Sequence, residues 1–207
     1  MYSTGYFKDK DHHRVIDFVK QNSFAFLIAN AHPYPAATQV PLLLEEREGQ
    51  LFLKGHIMRQ TGHHKALVKN PKVLCVFTGA HAYVSASLYT NPQAVSTWNY
   101  MSVHVTGNLS FLGEEGLLKL LEETTALYEN DENSPASFRH LPHDLVQKAS
   151  KAIIGFEIAV EKIEHVFKLS QNRDAGSYAN IIRHLEEAGD NGRALADEMK
   201  KRSSELF

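Results

Sequence analysis

From Thr97 to Phe111 the chain alternates: Val103, Val105 and Leu109 are interleaved with His104, Thr106 and Ser110. A period of two is the signature of a strand with one buried and one wet face. Ile153–Lys168 reads as a second long strand, with Phe156, Ile158, Val160 and Ile163 as its core candidates. Around these lie shorter apolar runs. Residues 23–29 read as a buried strand, 38–44 as a second, and the polar cluster 45–50 as a hairpin turn into a strand at 51–55. Strands are also expected at 72–78 and 81–89. Helical patterns cover 11–22, 61–70, 114–128, 144–151, 175–188 and 193–206, the last two split by Gly189-Asp190-Asn191-Gly192. This order is not the strand–helix alternation of a dinucleotide fold. One mainly β domain spanning 1–207 is expected, with peripheral helices and a C-terminal helical pair at about 174–207. Closure into a barrel would remove the sheet edges.

Charge and cysteine usage narrow the function classes. A formal net charge of −2 over 207 residues gives no electrostatic case for clinging to nucleic acid or an anionic membrane. The opening Met1–Phe7 lacks a secretory pattern, and no apolar run approaches the roughly 20 residues that span a bilayer. Cys75 is the only cysteine and sits in an apolar strand, as a small core hydrophobe would. A cytoplasmic protein without membrane association is expected.

Common site signatures are missing: there is no GxGxxG, GxxxxGK[ST], GxSxG or HExxH. His12-His13, His63-His64 and His140-Leu141-Pro142-His143 invite a metal reading. Adjacent helical residues point about 100° apart, and no cysteine or spaced carboxylate set completes a shell, so no metal site is expected. The C-terminal helices superficially suggest a helix-turn-helix, but Glu186-Glu187 and the Asp197-Glu198 centre carry the wrong charge for phosphate. Direct DNA binding is therefore doubtful, and a dimerising or barrel-packing pair is the better reading.

Four blocks interrupt strands with polar and aromatic residues: Gly55–Gln60, Ala82–Tyr89, Ser96–Tyr100 and Phe167–Arg173. In this order and spacing they resemble the PaiB family of FMN-binding negative transcriptional regulators. Met1-Tyr2 with Phe7 and Asp11, the strand Thr38-Gln39-Val40-Pro41-Leu42, and Gly155-Phe156-Glu157-Ile158 extend the resemblance over almost the whole chain. The chain departs from the family pattern at Ile57–Gly62, where a Leu-Ala-Arg-Ala-Asn-Pro-like run is usual. It departs again at Ser85–Tyr89 and Val95–Trp98, which lack the usual Pro and one Trp.

The resemblance implies a split β-barrel of the flavin-reductase and pyridoxamine-oxidase type, a homodimer with FMN in the groove between chains. An FMN site must satisfy a phosphate, a ribityl chain and a flat ring with polar edges. For the phosphate, Arg59 offers a planar donor fork in the same turn as Gln60, with His56 and Lys65 in support. A helix starting near Thr61 would add its first amides. Arg59 could equally cap a surface turn. Thr38, Gln39 and Pro41 can offer backbone groups to the ring's pyrimidine edge, since Pro41 marks an edge strand or a bend. Trp98 and Tyr100 can border the ring and Asn99 its edge or the ribityl chain, although Trp98 also reads as an ordinary core aromatic. Lys168, Gln171, Asn172 and Arg173 end a strand in donors and acceptors that either meet a ligand or cap the next helix through Asn172 or Asp174. No catalytic acid or base is required, because FMN itself carries the redox chemistry. A flavin-dependent oxidoreductase acting on a small molecule and a flavin-linked regulator both fit. A repressor acting on DNA or through a partner, and a haem-binding split barrel, are the alternatives.

Overall fold

The computed structural model describes residues 4–207, so the Met1-Tyr2 part of the resemblance lies outside the described residues. Seven strands form one sheet: β1 (Phe24–Ala29), β2 (Ala36–Pro41), β3 (Leu43–Arg47), β4 (Gln50–Met58), β5 (Lys72–Val84), β6 (Thr97–Phe111) and β7 (Ile153–Lys168). Their order is β2-β1-β5-β6-β7-β4-β3, and the pairs β1/β2, β1/β5, β3/β4 and β4/β7 are antiparallel. Six α-helices accompany them: α1 (His12–Gln21), α2 (Gly62–Lys69), α3 (Glu114–Glu129), α4 (His143–Ser150), α5 (Ala175–Glu186) and α6 (Gly189–Leu206). The two long strands have the ends expected of them.

Several expected boundaries move, each for a local reason. The run 38–44 divides at Leu42, because Pro41 closes β2 without an amide to donate and β3 starts afresh. The turn expected across 45–50 shrinks to Glu48 (φ 52°) and Gly49 (φ 77°), both left-handed as a tight hairpin requires. Strands 72–78 and 81–89 fuse into β5, which runs through Gly79 and stops at Val84. Gly189–Gly192 opens α6 instead of separating two helices, and only Glu187-Ala188 parts α5 from α6.

The chain divides into two compact units, the first comprising 4–18, 78–103 and 164–207 and the second 19–77 and 104–163. In the second unit Ala25, Leu27 and Ala29 of β1 are buried while Phe24 and Phe26 are exposed, so this strand is covered on one face only. Its run is apolar throughout, which had suggested burial on both. Leu53, Ile57, Leu67, Cys75, Phe77, Val105, Leu120, Phe156 and Ile158 complete the core. Backbones approach closely at Gly107, where a Cβ would run into the Ala159 carbonyl oxygen. In the first unit, Leu169 just past β7, Tyr178, Ile181 and Leu185 of α5, and Leu195 and Met199 of α6 are buried, and α5 packs on α6. The Tyr178 hydroxyl donates to Met199 O at 2.9 Å. Near the amino end, Asp9 pairs with Arg202 at 3.2 Å, with both side chains under a tenth exposed. No helix of the described residues is long and apolar enough to cross a membrane.

Candidate functional site

Half of the expected site residues fall in each unit, and each group has its own logic. In the second unit β4 ends at Met58 and the chain reverses through Gln60, whose φ of 63° is left-handed. Thr61 caps α2: its hydroxyl accepts from His64 N at 3.1 Å and donates to Met58 O at 3.2 Å. Arg59 is held by its backbone, N to Ala152 O at 2.9 Å, and by its side chain, Nε to Ile153 O at 2.7 Å. That anchorage uses one of five guanidinium donors; among the described residues the two terminal nitrogens have no partner. The Gly62 and His63 amides of the first turn have no acceptor within their own helix, and Lys65 stands exposed on it. A fixed cation beside a helix start is suited to an anion of two charges.

Register sorts the β2 residues. Thr38 lies opposite the buried Leu27, whereas Gln39 and Pro41 lie opposite the exposed Phe26 and Phe24. Directly opposed residues share a face, so Thr38 faces one way and Gln39 and Pro41 the other. On the Thr38 face, its Oγ1 is 2.7 Å from His63 Nδ1 of α2. Sequence reasoning passed over His63, because adjacent histidines look like surface residues until the helix is docked. It is buried, and its Nε2 has no partner among the described residues. Burial pushes its pKa, and that of half-buried His56, below the ordinary histidine value. His56 lies opposite Gly155, on the face of β4 where Leu112 and Leu117 come up to Gly155. β2 is an edge strand, as Pro41 suggested, and its outer backbone groups lack a strand partner.

In the first unit the polar run at the end of β7 is largely satisfied by the chain itself. Asn99 is fully buried, and its Oδ1 accepts from Ser170 Oγ at 3.0 Å. Gln171 clasps its own turn, with Leu169 N donating to Oε1 at 2.7 Å and Nε2 donating to Phe167 O at 2.5 Å, around Ser170 at φ 62°. These two amides shape the turn. Lys168 donates to Thr97 Oγ1 and, at 3.0 Å, to Trp98 O. Its pKa is lowered, first by burial and then by the neighbouring Arg173. Arg173 stacks 4.0 Å over the Tyr89 ring. Asp174 caps α5, accepting from Ser177 N at 2.9 Å, while Asn172 is exposed. Trp98 is no core aromatic: it is 54% exposed, in an uncovered cluster with His81 and Tyr83, ring centroids 6.3 and 5.9 Å away. Tyr100 is half-buried on the same parity of β6.

Residues 1–162 match the family described as "Putative FMN-binding domain". The chain is 33% identical over 201 residues to "Protease synthase and sporulation protein PAI 2" of Bacillus subtilis, covering 97% of each chain. The chain belongs to the PaiB family. Structural similarity agrees on the fold. The flavocytochrome Anf3 of Azotobacter vinelandii superposes with a TM-score of 0.58 at 14% identity, over 86% of this chain and 78% of that one. The FAD and heme binding protein of Mycobacterium smegmatis gives 0.54 at 14% identity, over 88% and 80%. This PaiB-family chain has the mainly β split-barrel fold with peripheral helices. FMN is the cofactor of its family, and the unspent donors of Arg59, the Gly62 and His63 amides and Lys65 are chemically suited to the phosphate of that molecule.

Proposed function

We propose that this chain is an FMN-binding oxidoreductase or flavin-linked regulator that works as a homodimer. The observation that carries the flavin site is Arg59, tied through Nε to Ile153 O beside the start of α2 with its outer nitrogens unspent. Those nitrogens, the first-turn amides and Lys65 hold the phosphate; charge-assisted bonds of this kind are roughly twice as strong as neutral ones. The outer edge of β2, where alternate residues between Thr38 and Pro41 turn their backbone groups away from β1, supplies donors and acceptors to the pyrimidine edge of the ring. When bound, the flavin supplies hydride or single-electron transfer.

The chain's own residues then orient and shield. Trp98 and Tyr100 border a flat ring, and covering the exposed Trp98 and Tyr83 with a second copy removes apolar surface from water. Lys168, Asn172 and Arg173 reach the flavin of the partner copy, with Asn99 and Gln171 fixing the turn that carries them. His56 lends a half-buried imidazole behind the phosphate turn. Regulation through a protein partner fits the net charge of −2 better than direct repression on DNA.

Titrating metal-free, flavin-free protein with FMN tests the reading. Stoichiometric quenching of flavin fluorescence is expected; protein that leaves the fluorescence unchanged refutes it. Haem added in place of FMN gives no Soret shift on this reading, and a stoichiometric one would favour the haem alternative.

A further inference from the structure

The His63–Thr38 pair has a chemistry that the phosphate turn does not explain. Thr38 stands exposed on the edge strand β2, and its Oγ1 lies 2.7 Å from His63 Nδ1. His63 is only 7% exposed, held between α2 and the sheet. Its second ring nitrogen, Nε2, is sealed from solvent and has no hydrogen-bond partner among the described residues. A neutral imidazole carries one N–H, and two arrangements follow. With the hydrogen on Nε2, a buried donor would be orphaned, which is the rarest state of a buried polar group. With the hydrogen on Nδ1, it donates to Thr38 Oγ1 and only a lone pair is sealed. The second arrangement has a consequence at the surface. A hydroxyl that already accepts from the ring must turn its own hydrogen elsewhere, and exposed Thr38 can turn it only to a ligand or to solvent.

We propose that His63 is a positioning residue: its Nδ1–H holds the Thr38 hydroxyl as a dedicated donor to an acceptor on the bound flavin. The inference rests on the flavin reading above and assigns to that site a side-chain donor that reads the ligand directly. The side chain therefore discriminates for a ligand with an acceptor at that edge, as the carbonyl oxygens and ring nitrogens of a flavin provide. His63 never touches the ligand, because both its nitrogens are engaged or sealed.

Two measurements test it. Nitrogen-15 spectra of histidine-labelled wild-type protein should show His63 protonated on Nδ1 and bare on Nε2; the reverse tautomer overturns the proposal. FMN titrations of the flavin-free protein should show Thr38→Val and His63→Leu each weakening binding by about tenfold, one neutral hydrogen bond. The double variant should bind no worse than either single one, and His63→Asn, whose amide can replace the Nδ1–H, should return to within about twofold of wild type. Melting curves establish that each variant is folded. Thr38 is exposed, so Thr38→Val and the wild-type spectrum carry the test even where His63→Leu fails to fold. Wild-type affinity in Thr38→Val, or additive losses in the double variant, overturns the proposal while leaving the flavin reading intact. Wild-type protein that takes up no FMN refutes the flavin reading itself, and this inference with it.

Discussion

Arg59 concentrates the chemistry of the proposed site in one side chain, and its geometry predicts how it should fail. Arg59→Ala removes both outer nitrogens, and hydrogen bonds to charged groups are worth about 1.5–3 kcal/mol, so FMN affinity should fall roughly 10- to 150-fold by fluorescence titration. Arg59→Lys should rescue little, because lysine has no Nε to tie to Ile153 O while pointing a planar fork outward. Cys75 makes the opposite kind of prediction. Its thiol is fully buried and pushed up to about 12 by that burial, so iodoacetamide at mildly alkaline pH should label it only after unfolding. Of the residues expected at the site, Arg59 was legible as a donor fork in a turn, whereas Trp98 read equally as a core aromatic until the fold exposed it. Asn99 and Gln171 were legible as important but not as to role. An amide that binds a ligand and one that binds Ser170 or its own turn look the same in sequence.

Elements are held by caps and close approaches more than by propensity. The Asp174 carboxylate, at the start of α5, is lowered to about 2, chiefly by the Ser177 hydroxyl and then by the Ser177 amide. Its folded pKa lies below the ordinary 3.8, so the stabilisation is present above that value and disappears as pH falls toward 2. Asp174→Ala should therefore lower the melting temperature at pH 7, with a deficit that closes as the melts are repeated in acid. At Gly107 there is no room for a side chain against the Ala159 carbonyl. Gly107→Ala should cost about 1–3 kcal/mol or more in urea unfolding, as overpacking does, although alanine is otherwise the better residue for a regular element. The alternation along β6 foretold this element well. It did not foretell Gly107, because a glycine within an alternating strand reads the same whether or not another backbone presses on it.

For the whole molecule, the proposal is a homodimer, and sedimentation or light scattering should find twice the mass of one chain. Trp98→Glu, which charges the exposed aromatic cluster, should shift that equilibrium toward monomer without unfolding the chain. Acid sensitivity should be a molecular property too. Burial lowers His56, His63 and His165 from the ordinary 6.5, so the unfolded chain binds more protons than the folded one just below that value. Stability is then full above about pH 7 and falls as pH drops through about 6.5 toward the depressed folded values, which melts across that window would show.

The sequence by itself determined most of the secondary-structure elements, the mainly β class and, through its four polar blocks, the family. Each of these is written locally, in a period of two, a cap or a run of side chains. Tertiary structure alone decided that it is the Thr38 face of β2 that meets α2, that His63 is buried against Thr38, and that Asn99 serves the chain's own turn. Those outcomes depend on which element docks on which face, and a side chain's partner across a sheet or beneath a helix is set by packing rather than by its neighbours in sequence.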